Sequence, residues 1–175
     1  MNREELEAYN SRRQFSQLCL CTSRPIEEVI DEWVEKLGIG PWGITEMSNE
    51  TVHDYGWGDK EITEPFKYYC AICRTGSLEF EIVQKCYGPF MGDAFLEDKK
   101  SGTGLQHFKE TFHSDEEYYA AIKRYEDAGF EKTFYGAIGD NKFCNFASDK
   151  FVGFTFEVGN DSDAGLGPDQ IRFYP

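Results

Sequence analysis

Long apolar runs are missing from this sequence. No stretch of about twenty apolar residues occurs, so no helix is expected to span a bilayer. The first thirteen residues, Met1 to Arg13, are polar and charged, with no apolar core like that of a secretory leader. The expected location is the cytoplasm. Basic residues are scarce as well: 18 Lys and Arg stand against 32 Asp and Glu, a net charge of −14. A nucleic-acid ligand needs cationic density to release counterions from phosphates. An anionic membrane surface asks for the same. Neither is an expected partner.

What is present points to a folded αβ domain. The 175 residues are enough for one domain, or for two small modules sharing a core. Hydrophobic residues make up 40% and charged residues 29%, so the chain can bury a core and stay in solution. Fifteen Phe and ten Tyr are many for this length. Some of them, with Trp42, Trp57, Tyr68 and Phe151 as candidates, should line a pocket or an interface as well as the core.

The six cysteines are Cys19, Cys21, Cys70, Cys73, Cys86 and Cys144. An even count is compatible with disulfides only in an oxidising compartment. Cys70 and Cys73 form a C-x-x-C inside a stretch that reads as a strand, which puts their side chains on opposite faces. A redox dithiol normally sits at a helix start. Buried free thiols are the expectation.

Along the chain, residues 2–12 read as a polar helix that Leu6 and Tyr9 dock, and 14–22 as a strand. Ile26, Val29, Ile30, Trp33, Val34 and Leu37 recur at helical spacing, with Ser23 as expected N-cap and Gly38 as terminator. Residues 49–64, with His53 and Trp57, read as a long loop or ragged hairpin near a pocket mouth. Strands are expected at 66–73 and 77–84, joined by Thr75-Gly76, then a short helix from Asp93 to Asp98. The order then repeats. A strand covers 105–112. Ser114 caps a second helix, with Glu117 three residues on. Strands follow at 131–138, 142–147 and 152–158. The repeat lies in element order, since residue identity between the halves is low.

Polar residues interrupt the strands at matching places. Gln17 and His107 each open the first strand of a half. Glu81 and Glu157 each lie in the last strand of a half. In that last strand Val152, Phe154, Phe156 and Val158 share one face and Glu157 points the other way; Leu78, Phe80 and Ile82 likewise oppose Glu79 and Glu81. A carboxylate inside a curved sheet is costly unless paired, hydrogen-bonded or metal-bound. A lone histidine is more often a satisfied structural residue than a ligand, and Gln17 also reads as a strand-edge amide. Glu79 reads as a solvated rim residue, and His53 and His113 as surface residues.

Gln17-Leu-Cys-Leu, Leu37-Gly-Ile-Gly-Pro-Trp42, Leu78-Glu-Phe-Glu-Ile-Val-Gln84, Gly104-Leu-Gln-His-Phe108 and Phe156-Glu-Val158 together resemble the vicinal-oxygen-chelate, or glyoxalase/bleomycin-resistance, superfamily. The branch most similar is the glyoxalase-like proteins near methylmalonyl-CoA epimerase. The resemblance implies an α+β fold in which two βαβββ modules form an open, cup-shaped, eight-stranded mixed sheet. It covers 14–160, with modules 14–84 and 105–160. An N-terminal helical extension (1–13) and an irregular tail (161–175) flank it. It implies Gln17, Glu81, His107 and Glu157 as ligands of one divalent ion (Zn, Ni, Co or Mn), the ligand type of glyoxalase I. It also implies a small-molecule substrate and a homodimer. The implied chemistry is isomerisation, epimerisation or lysis of a carbonyl or thioester substrate through a metal-stabilised enediolate, with Glu157 as base and Glu81 second. Two other readings stay open: a non-catalytic binder of the bleomycin-resistance type, and a dioxygenase. The second is disfavoured because Gln17 replaces one of the two histidines such enzymes need. A coenzyme A substrate would require a basic patch, for which Lys99, Lys100 and Lys109 are the candidates.

Overall fold

The computed structural model describes residues 1–97 and 99–175. Helix α1 (Arg3–Asn10) opens the chain, capped reciprocally by Asn2 and Glu5. Strand β1 (Phe15–Thr22) follows, then helix α2 (Ile26–Leu37), which Gly38 ends in the left-handed region at φ 67°. Next come β2 (Trp42–Ser48), a hairpin of β3 (His53–Trp57) and β4 (Lys60–Glu61), β5 (Lys67–Thr75) and β6 (Leu78–Tyr87). Helix α3 (Asp93–Glu97) links the halves. Asp98, expected at its end, lies outside the described residues. The second half runs β7 (Thr103–Phe112), α4 (Asp115–Asp127), β8 (Lys132–Ile138), β9 (Asn141–Phe146), α5 (Asp149–Val152) and β10 (Thr155–Asn160), with β11 (Ile171–Tyr174) last.

Each half is a βαβββ unit. β1 lies parallel to β6, which pairs antiparallel with β5, and β5 with β2. The second half repeats this with β7, β10, β9 and β8. The two units meet edge to edge along an antiparallel β1–β7 seam.

The eight strands that the resemblance implies are there, β2 being the one not read from the sequence, but among the described residues the sheet has eleven. The β3–β4 hairpin leaves the first unit and adds to β8, the edge of the second. Strand β11 returns from the second unit to β2, the edge of the first. Each unit therefore covers the other's free edge, which leaves fewer unpaired backbone groups. The tail, expected to be irregular, becomes a strand at its end for this reason.

Other expectations are corrected. Ser23 does not cap α2. The N-terminal residue of the cap is Pro25, and the Ile26 N–H donates instead to the Gln84 side-chain oxygen at 2.7 Å. The strand expected at 152–158 starts only at Thr155, because Ser148 and Gly153 bracket the one-turn helix α5. Phe151 is on that helix and 75% exposed, so it shapes no pocket. Trp42 is fully buried under α2. Ser114 does cap α4: its hydroxyl accepts from Glu117 N at 3.2 Å.

The apolar residues sort into three layers. Ile26, Val29 and Ile30 of α2 press on Ile44, Ala71 and Ile82, the outer face of the first unit. Tyr118 and Ala121 of α4 press on Cys144, Phe146 and Val158 of the second. The third cluster lies on the concave side, where Tyr55 of the inserted hairpin stacks on Phe66 at 3.9 Å and meets Phe134 edge-on at 4.9 Å. With both outer faces covered, the inner-facing residues of the central strands are the ones left to form a site.

Ile30 is completely buried between α2 and the sheet. Ile30→Ala is expected to cost about 2–5 kcal/mol, from lost transfer energy plus the cavity left behind. Urea unfolding should show this as a lower midpoint with an unchanged slope.

Candidate metal centre

Directly paired residues on neighbouring strands point to the same face of a sheet. The register therefore sets two rows of side chains across the cup. One row runs Arg74, Glu79, Gln17, Lys109, Glu157, Asn145. The next, two residues along each strand, runs Ile72, Glu81, Cys19, His107, Thr155. A register shift between Cys19 and Leu20 leaves Gln106 of β7 as the extra residue beside His107.

The four residues singled out by the sequence come together here. His107 is 1% exposed, Gln17 5% and Glu157 4%. The His107 Nε2 atom has Glu157 Oε2 at 3.2 Å, Gln17 Oε1 at 3.3 Å and Glu81 Oε2 at 3.5 Å. Neighbouring side chains fix these orientations. The Gln17 amide donates through Nε2 to Glu79 Oε1 at 2.6 Å, which turns its oxygen towards His107. Asn145 donates through Nδ2 to Glu157 Oε2 at 2.8 Å. The Cys70 thiol donates to Glu81 Oε1 at 3.1 Å. The His107 Nδ1 atom has the Gln106 oxygen at 2.5 Å, the contact of a donated N–H, which leaves Nε2 as the ring atom facing the three oxygens.

The centre is thus three oxygens around one imidazole nitrogen. A proton on Nε2 would serve one oxygen at a time, whereas a cation can serve several of these atoms together. The distances from Nε2 are close to ligand spacing, and the ligand atoms that lie within 4.8 Å of one another belong to Cys19, Glu81 and His107. Ligand atoms about 2.1 Å from one ion, at angles of about 90–109°, lie about 3.0–3.4 Å apart. One ammonium stands beside the centre, Lys109 Nζ, 3.6 Å from Glu157 Oε1. Two carboxylates against one ammonium leave a net negative charge, which favours a cation.

Cys19 was not a sequence candidate, yet it stands in the second row between Glu81 and His107. Ligand atoms of Cys19, Glu81 and His107 all lie within 4.8 Å of one another. Burial pushes its thiol well above the ordinary range, with Cys21 and Glu81 adding to the effect. Burial, and then Glu81, do the same to Cys70. The one available signal was that Cys19 follows Gln17 by two residues and so shares its strand face. The remaining thiols are free, and Cys86 alone is exposed. Cys70 packs on the concave side and Cys73 under α2, on opposite faces as expected.

Glu79 is not a solvated rim residue. Its carboxylate is shared between Gln17 and Arg74, whose Nε donates at 2.7 Å. His53 and His113 are surface residues. Lys99 and Lys109 line different cavities and make no common patch.

The centre opens into a cavity of about 770 Å³ lined by Met47, Tyr68, Ile72, Phe134 and Phe143, with Asp161 and Asp163 of the tail also on its wall. A second cavity, of about 500 Å³, shares Met91 and Phe134 with it. Lys109 reaches the centre because position 159 has no side chain. A Cβ there would come within 2.2 Å of Lys109 Cε and 2.8 Å of Nζ. Gly159→Ala should therefore displace Lys109 and destabilise the fold by about 1–3 kcal/mol. Adding Lys109→Ala should recover most of that loss in a double-mutant cycle of unfolding free energies.

No family model and no curated protein matches this sequence. Solved structures do. A hypothetical protein from Bacillus halodurans superposes with a TM-score of 0.62 at 14% identity, covering 89% of this chain and 99% of that one. Methylmalonyl-CoA epimerase from Mycobacterium tuberculosis gives 0.59 at 12% identity, covering 86% and 89%. A methylmalonyl-CoA epimerase in complex with methylmalonyl-CoA and NH4+ gives 0.61 at 12% identity, covering 87% and 96%. Identity this low speaks for architecture alone. Two βαβββ units joined at their first strands, with these structural neighbours, give this chain the vicinal-oxygen-chelate (glyoxalase/bleomycin-resistance) fold.

Proposed function

We propose that this protein is a divalent-metal-dependent isomerase, epimerase or lyase that moves a proton on the carbon next to a carbonyl or thioester group. Gln17, Glu81, His107 and Glu157 are the proposed ligands. The observation that carries the reading is the approach of Glu157 Oε2, Gln17 Oε1 and Glu81 Oε2 to His107 Nε2 at 3.2–3.5 Å, with ligand atoms of Cys19, Glu81 and His107 within 4.8 Å of one another. Cys19 adds a sulfur at the same place, which weights the choice of ion towards Zn, Ni or Co over Mn.

When bound, such an ion supplies a Lewis acid that polarises a substrate oxygen. The rest falls to the chain. A general base needs a free lone pair within reach of the carbon acid. Glu157 is the proposed base, which takes the proton and returns it, and Glu81 is the second candidate for that role. Asn145 and Lys109 hold the Glu157 carboxylate in place. The Cys70 thiol holds Glu81 Oε1 and so turns Oε2 towards His107. Gln106 holds the His107 ring with Nε2 inward. Met47, Tyr68 and Phe143 keep the reacting carbon among apolar surfaces. The structural neighbours make methylmalonyl-CoA one substrate to try. The acidic wall at Asp161 and Asp163 makes a small neutral carbonyl compound the other. A cytoplasmic location and a homodimer belong to this proposal. Among the described residues, no helix is long and apolar enough to cross a membrane.

Protein purified without added metal should carry close to one equivalent of a divalent ion by elemental analysis, or rebind one after chelation. Less than about a tenth of an equivalent, with no rebinding, would make the cup a metal-free binder of small molecules. Glu79→Ala removes the group that orients Gln17 and should weaken metal affinity about 10–100-fold without unfolding the chain. Glu157→Gln should keep the fold and abolish deuterium uptake at the substrate carbon in D2O, followed by NMR. A fully active Glu157→Gln protein would remove Glu157 from its role.

A further inference from the structure

The first cavity holds a polar group that the centre does not use. Tyr68 of β5 is 6% exposed, and it lines the first cavity and not the second. It shares its strand face with Ile72 and with Cys70, the thiol that holds Glu81. Its ring packs on Phe66 and Phe90, at 6.0 and 5.8 Å. The Tyr55 ring stacks on the same Phe66, and its hydroxyl donates to the Pro89 carbonyl at 3.2 Å. The Tyr68 hydroxyl has no such partner among the described residues. It is not sealed either: Asn145 Oδ1 is the one buried side-chain nitrogen or oxygen there that is both unpartnered and shut off from solvent. The Tyr68 hydroxyl therefore opens into the cavity that its residue lines. A buried phenol usually finds a partner, so one left open in an aromatic wall is a group held for a ligand. Burial pushes it well above the ordinary phenol range, and Tyr55, Cys70, Glu81 and Glu157 add to the effect. It stays protonated at any working pH and can donate.

The rest of the lining selects the ligand. Its Lys and Arg side chains are already paired, Arg74 with Glu79 and Lys109 with Glu157. Asp161 and Asp163 add acceptors. An anionic ligand, a coenzyme A ester included, meets no free cation along this wall. Met47, Phe134 and Phe143 suit an apolar or aromatic body. The unspent group is one neutral donor, which asks for an uncharged acceptor oxygen. We propose that the substrate is a small uncharged ketone or aldehyde with an apolar or aromatic body, and that the Tyr68 hydroxyl donates a hydrogen bond to its carbonyl oxygen. The role in turnover rests on the function proposed above; the binding step does not. A carbonyl oxygen has two lone pairs, so this bond leaves one free for the centre. Charge gathering on that oxygen, as the neighbouring carbon loses its proton, strengthens the bond.

Acetophenone labelled with 13C at the carbonyl is the probe. Its control is α-methylstyrene, which has CH2 in place of the carbonyl oxygen. Both are titrated by NMR into chelator-treated protein, so the outcome is independent of metal, and metal dependence is read separately by elemental analysis. The 13C signal should move downfield on binding, as a carbonyl does when it accepts a hydrogen bond. Benzoate, of similar shape but charged, should bind at least about tenfold more weakly than acetophenone. These two readings are made on the unaltered protein and stand whether or not a variant folds. Tyr68→Phe should remove the downfield displacement and weaken acetophenone about tenfold, and leave α-methylstyrene unchanged. No acetophenone binding, an unmoved 13C signal, benzoate bound as tightly as acetophenone, or a folded Tyr68→Phe protein whose affinities for acetophenone and α-methylstyrene change alike would overturn the proposal.

Discussion

Strand β1 hydrogen-bonds to β6 on one side and to β7 on the other, and neighbouring strands stand about 4.8 Å apart. Every distance in the centre follows from that constraint. Cys19 is paired with Glu81 across one interface and with His107 across the other, so two residues from different halves are held a single strand away from a third. Gln17 sits two residues earlier, between Glu79 and Lys109. One more parallel pairing, β7 with β10, brings Glu157 beside Lys109. The seam joins the halves and assembles the site in the same set of hydrogen bonds.

A site built on strand interiors is rigid, and its neighbours lock it further. Gln17, Glu157, Glu81 and His107 each have a second partner, namely Glu79, Asn145, Cys70 and Gln106. Rotating any one of the four costs a buried hydrogen bond, typically about 1–3 kcal/mol where it leaves a polar group unsatisfied. The lone-pair atoms are therefore held facing one another despite their mutual repulsion. Such preorganisation favours an ion over a rearranged side-chain network. Pairing of Glu79 with Arg74, and of Glu157 with Lys109, limits the accumulated negative charge to what a divalent ion can offset.

The edges of the sheet show a different economy. The first unit's inserted hairpin crosses to the second unit, and the tail after the second unit crosses back. The hairpin also delivers Tyr55 onto Phe66 and Phe134, an apolar bridge over the concave side. The tail delivers Asp161 and Asp163 to the cavity wall. Both additions shape the space around the centre without supplying any of its converging atoms.

The sequence by itself determined the duplicated element order, the outer apolar faces and the four converging polar residues. These are local or periodic signals: alternation in β6 and β10, the helical spacing of Ile26 to Leu37, a capped helix at Ser114, and a histidine or amide within the first strand of each half, where the structure places them inside the strand and not at its start. Tertiary structure decided the rest. Cys19 gained its place because two strands distant in sequence flank it, and Glu79 became buried only once Gln17 and Arg74 closed over it. Strand β11 and the β3–β4 hairpin took their form from free sheet edges made by the other half of the chain. Pairing partners at long range are set by packing and edge protection, and alternation within a single segment carries no record of them.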